Sequence, residues 1–341
     1  MADGALVLVT GISGFVGKHC GVALLNKGYR VRGTVRSLKR SDAVRATLAK
    51  HAVIDGRLEF VEADLGSDVG WDAAAQGCQY VMHVASPFPI KQPKDRDALV
   101  GPARDGTLRV LKAASKAGTT RTVITSSTAA IMYGPPKGKG VLITEDDWTN
   151  PDAADVSPYV RSKTLAERAA WDFIKADRSG MSLSVVNPGF ILGPTLDREF
   201  GSSIEVIQMM LRGKYPAVPH VQFPTVDVRD VADMQVLALN HPAAANQRFL
   251  CTDKSFWFVE LTRAIRAALP EAKKVPTKEL PSFVVRALSL FDSQLRAIVP
   301  ELDRERVTSH AKAEKLLGFR FRSASEAAVA AARSLIQLKL V

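Results

Sequence analysis

Cysteine is scarce in this sequence, which has only three among its 341 residues. Cys20, Cys78 and Cys251 lie far apart and form no C-x-x-C pair. A disulfide framework or a cysteine-rich metal site is therefore not expected, and we predict no metal site. Unpaired cysteines are typical of proteins in a reducing compartment. We expect a cytoplasmic protein.

Long hydrophobic runs are also missing, although 46% of the residues are hydrophobic. No uninterrupted apolar stretch approaches the roughly 18 residues of a membrane-spanning helix. The first segment, MADGALVLVTG, has one short apolar run that ends in glycine and no basic stretch before it. These features are unlike those of a signal peptide. The sequence predicts a globular protein without a membrane anchor.

Acidic residues are outnumbered, with 35 Asp and Glu against 46 Lys and Arg, which gives a net charge of +11. Such an excess suits either a nucleic-acid partner or anionic small ligands. The basic residues are spread along the chain, apart from VRSLKR at 35–40, and no nucleic-acid-binding motif accompanies them. The distribution therefore favours an enzyme that handles anionic small molecules over a nucleic-acid binder, and we expect no nucleic-acid or membrane partner. Monomer and homodimer both stay open from the sequence.

Apolar runs rich in β-branched residues alternate with helical stretches along the first half of the chain. Continuous apolar strands separated by helices are typical of a parallel sheet that is covered on both faces. With right-handed crossovers, the sheet becomes a Rossmann-type, doubly wound α/β fold. The predicted strands are 5–10, 29–35, 57–65, 79–86, 121–127 and 182–188, and the predicted helices are 14–28, 41–52, 98–117 and 158–179.

The first predicted strand runs into TGISGFVG, in which Gly11, Gly14 and Gly17 have G-x-x-G-x-x-G spacing. Gly11 permits a tight turn, Gly14 lets backbone N–H groups approach a pyrophosphate, and Gly17 lets the helix lie close to the sheet. The N-terminus of the helix then faces the phosphates with its partial positive charge. The motif predicts a dinucleotide site. The other predicted contacts in this turn are Ser13, Phe15 and Val16.

An acidic residue is missing at the end of the second strand, where an NAD enzyme usually has one to bind the ribose 2′-OH. The segment GTVRSLKR instead contains Arg36, followed by Lys39 and Arg40. A guanidinium can bind a 2′-phosphate through two hydrogen bonds, whereas a carboxylate would repel it. We predict NADP(H) as the cofactor. The alternative is that Arg36 is a solvated loop residue.

Asp64, in EADL, ends the third predicted strand and precedes Leu65. Its carboxylate could accept a hydrogen bond from the adenine amine of the cofactor. It could equally cap the N-terminus of a helix, where aspartate is common. The sequence leaves both roles open.

After Pro188 the alternation of strands and helices is lost. Residues 188–224 are rich in proline and glycine, and the chain beyond 251 is mostly helical. Residues 225–239 are interpreted as a short strand and a helix that return to the sheet. We predict an NADP-binding Rossmann domain over 1–187 and 225–250, and a smaller, mostly helical C-terminal substrate-binding lobe over 188–224 and 251–341.

The segment SPYVRSK, at 157–163, places Tyr159 and Lys163 one helical turn apart. A tyrosine hydroxyl is a poor acid at neutral pH because its ordinary pKa is about 10. A nearby ammonium would favour the tyrosinate and lower that pKa. The pair could move a proton, or it could be two neighbouring surface side chains, and the spacing alone does not decide.

Eight segments occur in the order found in extended short-chain dehydrogenases/reductases, and the sequence resembles this family from residue 5 to about residue 240. The most similar branch contains the dihydroflavonol reductases, the cinnamoyl-CoA reductases and the NADPH carbonyl (aldehyde) reductases. The resemblance implies an oxidoreductase that transfers hydride between NADP(H) and a carbonyl group. The segments are VTGISGFVG, VRGTVRS, ADL, VASPF, VITSSTAA, YVRSKTLAE, NPGFILGP and VDVRDVA.

The resemblance implies a catalytic triad of Ser127, Tyr159 and Lys163, with Ser126 as the competing serine. Hydride attack on a carbonyl carbon puts negative charge on the oxygen, which Ser127 would stabilise and Tyr159 would protonate. Lys163 would lower the pKa of the tyrosine and bind the nicotinamide ribose. Further implied contacts of the cofactor are Ala85, Ser86, Pro188 and Gly189, the last two of which could instead form a simple turn. His83, Arg229 and Asp230 are interpreted as structural residues.

Two features of the related enzymes are missing. The asparagine-tryptophan-tyrosine-cysteine-tyrosine signature of plant cinnamoyl-CoA reductases is absent, so we do not expect a CoA thioester. Flavonoid reductases place an asparagine five residues after the catalytic serine, and here Met132 stands in its place, which predicts a hydrophobic pocket. We expect a ketone or aldehyde with aryl or alkyl groups. The predicted substrate contacts are Phe88, Met132 and Phe190, within pocket walls from 88–93, 131–136, 190–225 and parts of 281–300.

Three other functions are alternatives to a carbonyl reductase. A hydroxysteroid dehydrogenase or a nucleotide-sugar epimerase of the same extended family would keep the triad. A non-catalytic NADP-sensing regulator would keep the glycine-rich turn and lose the tyrosine-lysine pair, which this chain retains.

Overall fold

The computed structural model describes residues 4–86, 93, 95–134, 140–154 and 156–341. Phe88 lies outside these residues. Short 3-10 helices cover Leu38–Arg40, Thr128–Ala130, Pro242–Ala244 and Val299–Glu301. The strands are β1 (Leu6–Thr10), β2 (Arg30–Val35), β3 (Leu58–Glu62), β4 (Tyr80–His83), β5 (Arg121–Thr125), β6 (Leu142–Ile143), β7 (Ser182–Pro188), β8 (Phe190–Leu192), β9 (Val218–Pro219), β10 (Gln222–Asp227), β11 (Gln247–Cys251), β12 (Lys254–Trp257), β13 (Glu279–Leu280) and β14 (Val307–Thr308).

Helices follow most of the strands that the sequence predicts. The predicted helices are all present, and the five-residue helix α3 was not predicted. The helices are α1 (Phe15–Asn26), α2 (Ser41–Ala49), α3 (Trp71–Ala75), α4 (Val100–Lys116), α5 (Pro158–Ala176), α6 (Ser202–Leu211), α7 (Val228–Asn240), α8 (Phe258–Ala268), α9 (Ser282–Leu288), α10 (Ser293–Ile298), α11 (Ala311–Leu317) and α12 (Ala324–Gln337). Among the described residues, no helix has the length and apolar character needed to span a bilayer.

The large sheet has seven strands in the order β11-β7-β5-β4-β1-β2-β3, and every neighbouring pair is parallel. The predicted Rossmann-type fold is confirmed. The strand order reverses between β1 and β4, because β2 and β3 lie on one side of β1 and the later strands on the other. In such sheets, ligands bind outside the carboxyl ends of the strands at this reversal.

The prediction that 225–239 returns to the large sheet is wrong for its strand. Strand β10 pairs with β8 and β12 in a separate three-stranded sheet. The strand that completes the large sheet is β11, which runs beside β7. Helix α7, which follows β10, does pack on α1 and the large sheet. An apolar strand pattern does not specify which of two sheets it joins, since the pattern records burial and not the pairing partner.

The two sheets have separate hydrophobic cores. One face of the large sheet packs in a core that includes Val7 and Phe249, and its other face packs in a core that includes Leu8 and Leu183. The core beside the smaller sheet includes Ile204 and many residues of α8 and α12. The two-lobe division stays a prediction, and the separate cores support it. The three cysteines are buried free thiols, and burial raises the pKa of each.

Candidate active site

A cleft of about 1010 Å³ opens at the carboxyl ends of the large sheet. The segments that follow β1, β2, β3, β4, β5 and β7 all contribute to its walls, as expected at a strand-order reversal. Most of the predicted site residues meet in this single cleft. They are Gly11, Ser13, Gly14, Phe15, Val16, Gly17, Arg36, Asp64, Leu65, Ala85, Ser86, Ser127, Met132, Tyr159, Gly189 and Phe190.

The glycine-rich turn has the geometry that its spacing predicts. Gly11 has a φ of +67°, a conformation that favours glycine, and its N–H donates to the Thr34 hydroxyl at 3.0 Å. A Cβ at Gly17 would lie only 2.3 Å from the Gly11 carbonyl oxygen, so α1 and the turn pack too closely for any side chain there. Helix α1 begins at Phe15, directly after Gly14. Its N-terminus therefore lies at the wall of the cleft, where it can bind an anion.

The three predicted basic contacts of the cofactor do not lie together. Arg36, at the end of β2, is exposed and lines the cleft. Lys39 and Arg40 are outside the lining that the described residues form, and the Arg40 guanidinium forms an ion pair with Glu199. Of the three, Arg36 is the one that lines the cleft, and its contact with a 2′-phosphate stays a prediction.

Asp64 is exposed and lines the cleft beyond β3, near Leu65. Its carboxylate accepts a hydrogen bond from the Gly66 N–H at 2.7 Å, which forms a local turn. The alternative role as a helix cap is wrong, because α3 begins at Trp71 with Gly70 at its N-cap. The adenine contact stays a prediction.

Ser127 and Tyr159 both line the cleft, and their side chains share a hydrogen bond. Ser127 follows β5, and its hydroxyl also accepts from the Ala129 N–H at 3.1 Å. Tyr159 lies in the first turn of α5, which Pro158 starts and Ser157 caps. Ser126, by contrast, is buried outside the cleft and donates to Glu167. This geometry favours Ser127 over Ser126 as the serine that meets a ligand.

Lys163 lies one turn after Tyr159 and lines a small cavity of about 20 Å³ beside the cleft. Its ammonium donates to the Thr125 carbonyl at 3.4 Å. Burial lowers the pKa of Lys163 to about 8, against the opposing charge of Glu167. The expected lowering of the Tyr159 pKa by Lys163 is not found. Burial raises that pKa, because removing a phenolate from water costs more than the hydrogen bond from Ser127 returns.

Glu167 is a functional candidate that the sequence analysis missed. It lies one turn after Lys163 on α5 and is buried, and its carboxylate accepts from the Asn187 amide at 2.7 Å. The Nε atom of Arg248 lies 2.8 Å from its Oε1 atom. This buried network holds the carboxylate behind Lys163. The i+4 spacing from Lys163 in YVRSKTLAE was the signal that could have indicated it.

His83, Arg229 and Asp230 have structural partners, as expected. The Thr10 hydroxyl accepts from the N–H groups of Val84 and Ala85 and therefore donates to His83 Nδ1 at 2.8 Å. Burial lowers the pKa of His83 to about 3. Arg229 forms an ion pair with Asp227, and Asp230 forms one with Arg322.

The wall opposite the glycine-rich turn comes from the smaller sheet and the C-terminal segment. The rings of Phe190 and Phe223 stack there with centroids 5.5 Å apart. Gly189 is required at the rim, because a Cβ would lie 2.1 Å from the Pro224 carbonyl oxygen. Pro188 is buried behind it and does not line the cleft. Tyr133, Ile298 and Pro300 also line the cleft, within the segments 131–136 and 281–300 that were predicted as pocket walls, and Glu301 lies one residue beyond them.

The described part of the chain contains no cluster of three His, Cys, Asp or Glu side chains that could hold a metal ion.

Comparison with known proteins shows the family of this chain. The model of the NAD dependent epimerase/dehydratase family matches residues 7–251. Cinnamoyl-CoA reductase CAD2 from Medicago truncatula is 35% identical over 277 residues, which are 78% of this chain and 82% of the relative.

Solved structures of similar proteins cover almost the whole chain. Gre2 from Candida albicans in complex with NADPH has a TM-score of 0.81 and 29% identity, over 98% of this chain and 99% of that one. Yeast methylglyoxal/isovaleraldehyde reductase Gre2, also complexed with NADPH, has a TM-score of 0.82 and 24% identity over the same shares. The fold, the matched residues and these relatives agree with the resemblance in the sequence. This chain belongs to the NAD dependent epimerase/dehydratase family, as an oxidoreductase of the extended short-chain dehydrogenase/reductase type.

Proposed function

We propose that this protein is an NADPH-dependent reductase that transfers hydride to the carbonyl carbon of a hydrophobic ketone or aldehyde, and that catalyses the reverse oxidation of the alcohol. The observation that carries the proposal is that a single cleft contains both the glycine-rich turn and the hydrogen-bonded pair of Ser127 and Tyr159. A dinucleotide bound along the turn would extend toward that pair. NADP(H), when bound, supplies the hydride.

The residues present fit NADP(H) as the cofactor. The close approach of Gly17 to Gly11 leaves the backbone of the turn bare, which suits a pyrophosphate at the N-terminus of α1. Arg36 lines the cleft at the end of β2, in the place where an acidic residue would repel a 2′-phosphate. The NADPH complex of Candida albicans Gre2, at 29% identity, supports the same assignment.

In this proposal, Ser127, Tyr159 and Lys163 stabilise and protonate the carbonyl oxygen of the substrate. Ser127 donates a hydrogen bond to the carbonyl oxygen, and Tyr159 gives that oxygen its proton as general acid. Since burial raises the pKa of Tyr159, the hydroxyl keeps its proton until negative charge develops on the substrate oxygen. Lys163, with a pKa of about 8, is mostly protonated at neutral pH and supports the charge change at the tyrosine.

The apolar part of the cleft supports a hydrophobic substrate. Met132 and the stacked rings of Phe190 and Phe223 all line the cleft. Such surfaces bind alkyl and aryl groups, because their burial removes apolar area from water.

The test is the consumption of NADPH with a panel of ketones and aldehydes, followed by the absorbance of the reduced nicotinamide. Tyr159→Phe is expected to lower turnover by about 10²–10⁴-fold, the usual contribution of a general acid. Its affinity for NADPH, measured by fluorescence titration, is expected to stay near that of the wild type. Tyr80→Phe is the matched control, since Tyr80 lies at the far end of β4. Near-normal turnover by Tyr159→Phe would show that the proposed role is wrong.

A further inference from the structure

A polar cluster interrupts the otherwise apolar substrate side of the cleft. Tyr133 and Glu301 both line the cleft, and the Tyr133 hydroxyl donates a hydrogen bond to the Glu301 carboxylate. Arg306 forms an ion pair with the same carboxylate, and its guanidinium lies 4.7 Å from the centre of the Tyr133 ring. Glu301 belongs to the 3-10 helix Val299–Glu301, so this cluster joins the C-terminal segment to the loop that follows Ser127.

The cluster holds the carboxylate of Glu301 in a fixed, poorly solvated position. The side chains of Glu301 and Arg306 are only 13% and 5% exposed. Because the arginine balances its charge, the carboxylate stays in the cleft wall without an uncompensated charge. A carboxylate offers about four lone-pair sites, and Arg306 and Tyr133 leave part of this capacity for a donor that enters the cleft.

The cluster lies close to the proposed proton donor, because Tyr133 and Tyr159 pack against the same small hydrophobic cluster. Burial and the charge of Glu301 raise the pKa of Tyr133. The Tyr133 hydroxyl therefore keeps its proton and remains a donor to Glu301. A substrate whose carbonyl meets Tyr159 would extend its other end past this acceptor.

We propose that Glu301, held by Tyr133 and Arg306, is the acceptor of a hydroxyl-binding subsite, so that the preferred substrates are carbonyl compounds with an alcoholic or phenolic hydroxyl away from the carbonyl. This inference rests on the proposed function, because it assumes that the carbonyl reacts at Tyr159. A neutral hydroxyl donor completes the hydrogen bonds of the carboxylate. A substrate carboxylate would meet a like charge and be excluded.

The size of the preference follows from the type of hydrogen bond. A hydrogen bond to a buried charged group changes kcat/KM by roughly 10-fold or more when the substrate loses its donor. Sites built to bind a hydroxyl also reject analogues that lack it, since the acceptor has lost water on binding and then lacks one of its hydrogen bonds. An apolar pocket, by contrast, distinguishes such analogues only weakly.

The experiment compares three aryl ketones that are alike except for a hydrogen, a hydroxyl or a carboxylate on the ring. For each we would measure kcat/KM with NADPH, and also binding to the enzyme by fluorescence quenching. The wild type is expected to favour the hydroxyl compound over its hydrogen analogue by roughly 10-fold or more and to reject the carboxylate. Equal kcat/KM and equal binding for the first two, or no binding of either, would overturn the inference.

Variants identify the acceptor. Glu301→Leu combined with Arg306→Met removes the pair without leaving a lone buried charge, and the hydroxyl preference is expected to fall to about one-fold. Tyr133→Phe keeps the carboxylate and is expected to keep the preference. A control, Asp72→Leu with Lys116→Met, removes an exposed ion pair of α3 and α4 and should change nothing.

The opposite pattern, with the preference kept in the double variant and lost in Tyr133→Phe, would contradict the inference. Failure of the proposed function has a different signature, namely turnover that survives in Tyr159→Phe. Loss of the hydroxyl preference alone leaves the reductase assignment intact.

Discussion

Replacing Glu167 by glutamine is expected to lower the free energy of unfolding and to lower the pKa of Lys163. The side chain of Glu167 is 1% exposed and that of Arg248 is 9% exposed, so water compensates neither charge if the pair is broken. The Arg248 guanidinium is also fixed from other sides, by hydrogen bonds to the Glu145 and Asp147 carbonyls and by the Trp148 ring at 3.7 Å. It is therefore held in the interior after its partner is neutralised.

The magnitude follows from this geometry. Removing one partner of a buried ion pair costs about 3–5 kcal/mol, because it leaves an uncompensated charge. Glutamine keeps the shape and part of the hydrogen bonding to Asn187, so we expect a loss near the lower limit, about 3 kcal/mol. Combining Glu167→Gln with Arg248→Met is expected to recover part of the lost stability, since the uncompensated guanidinium charge is then removed.

The assay is urea unfolding at neutral pH, in which the midpoint should fall while the slope stays constant. Asp172→Asn is the matched control on the same helix, because Asp172 pairs with Lys175 at 3.6 Å in an exposed position. Exposed pairs contribute less than about 1 kcal/mol. A Glu167→Gln variant no less stable than this control would refute the reasoning.

The same substitution makes a kinetic prediction. Burial lowers the pKa of Lys163 to about 8, and the negative charge of Glu167 opposes this lowering. Without that carboxylate the pKa falls further, so the protonated lysine is lost at a lower pH. In a profile of kcat/KM against pH, the alkaline loss of activity should move to lower pH than in the wild type. An unmoved profile would show that Glu167 does not control the protonation of Lys163, the proposed catalytic lysine.

Three more predictions concern the cleft and the strands around it. Gly17→Ala places a Cβ 2.3 Å from the Gly11 carbonyl oxygen, so NADPH affinity in a fluorescence titration should fall, and unchanged affinity would contradict the close-packing argument. His83 has a pKa of about 3 in the folded protein against 6.5 unfolded, so stability should fall as pH decreases from 6.5 toward 3, by on the order of 2 kcal/mol at pH 5. His83→Gln should lack this part of the pH dependence in urea unfolding. Arg36→Asp should shift the ratio of kcat/KM for NADPH and NADH toward NADH, whereas Arg30→Asp, at the other end of β2, should leave the ratio unchanged.

Local sequence was sufficient for the parts of this protein whose signals are local. The apolar strands and intervening helices predicted the Rossmann-type sheet, because burial on both faces leaves a continuous apolar run. The glycine spacing predicted the turn, since a positive φ at Gly11 and a missing side chain at Gly17 are properties of single positions. The Pro158 start and the Tyr159 position on α5 were likewise readable from a few neighbouring residues.

Tertiary structure alone decided the features that depend on distant partners. Strand β10 joined the small sheet and β11 completed the large one, because pairing is chosen by the whole packed chain. Ser126 and Ser127 differ only in what they meet, which is Glu167 for one and Tyr159 for the other.

The protonation of the groups in the cleft was also decided by tertiary structure. The sequence placed an ammonium beside Tyr159 and predicted a lowered pKa, but burial raised that pKa, because desolvation depends on every element packed around the phenol. The meeting of Glu301, Tyr133 and Arg306 has no signal in the chain at all, since the segments that carry them are brought together only by folding. The sequence thus determined the Rossmann-type fold and the candidate catalytic residues, and the packing determined their protonation and the polar end of the cleft.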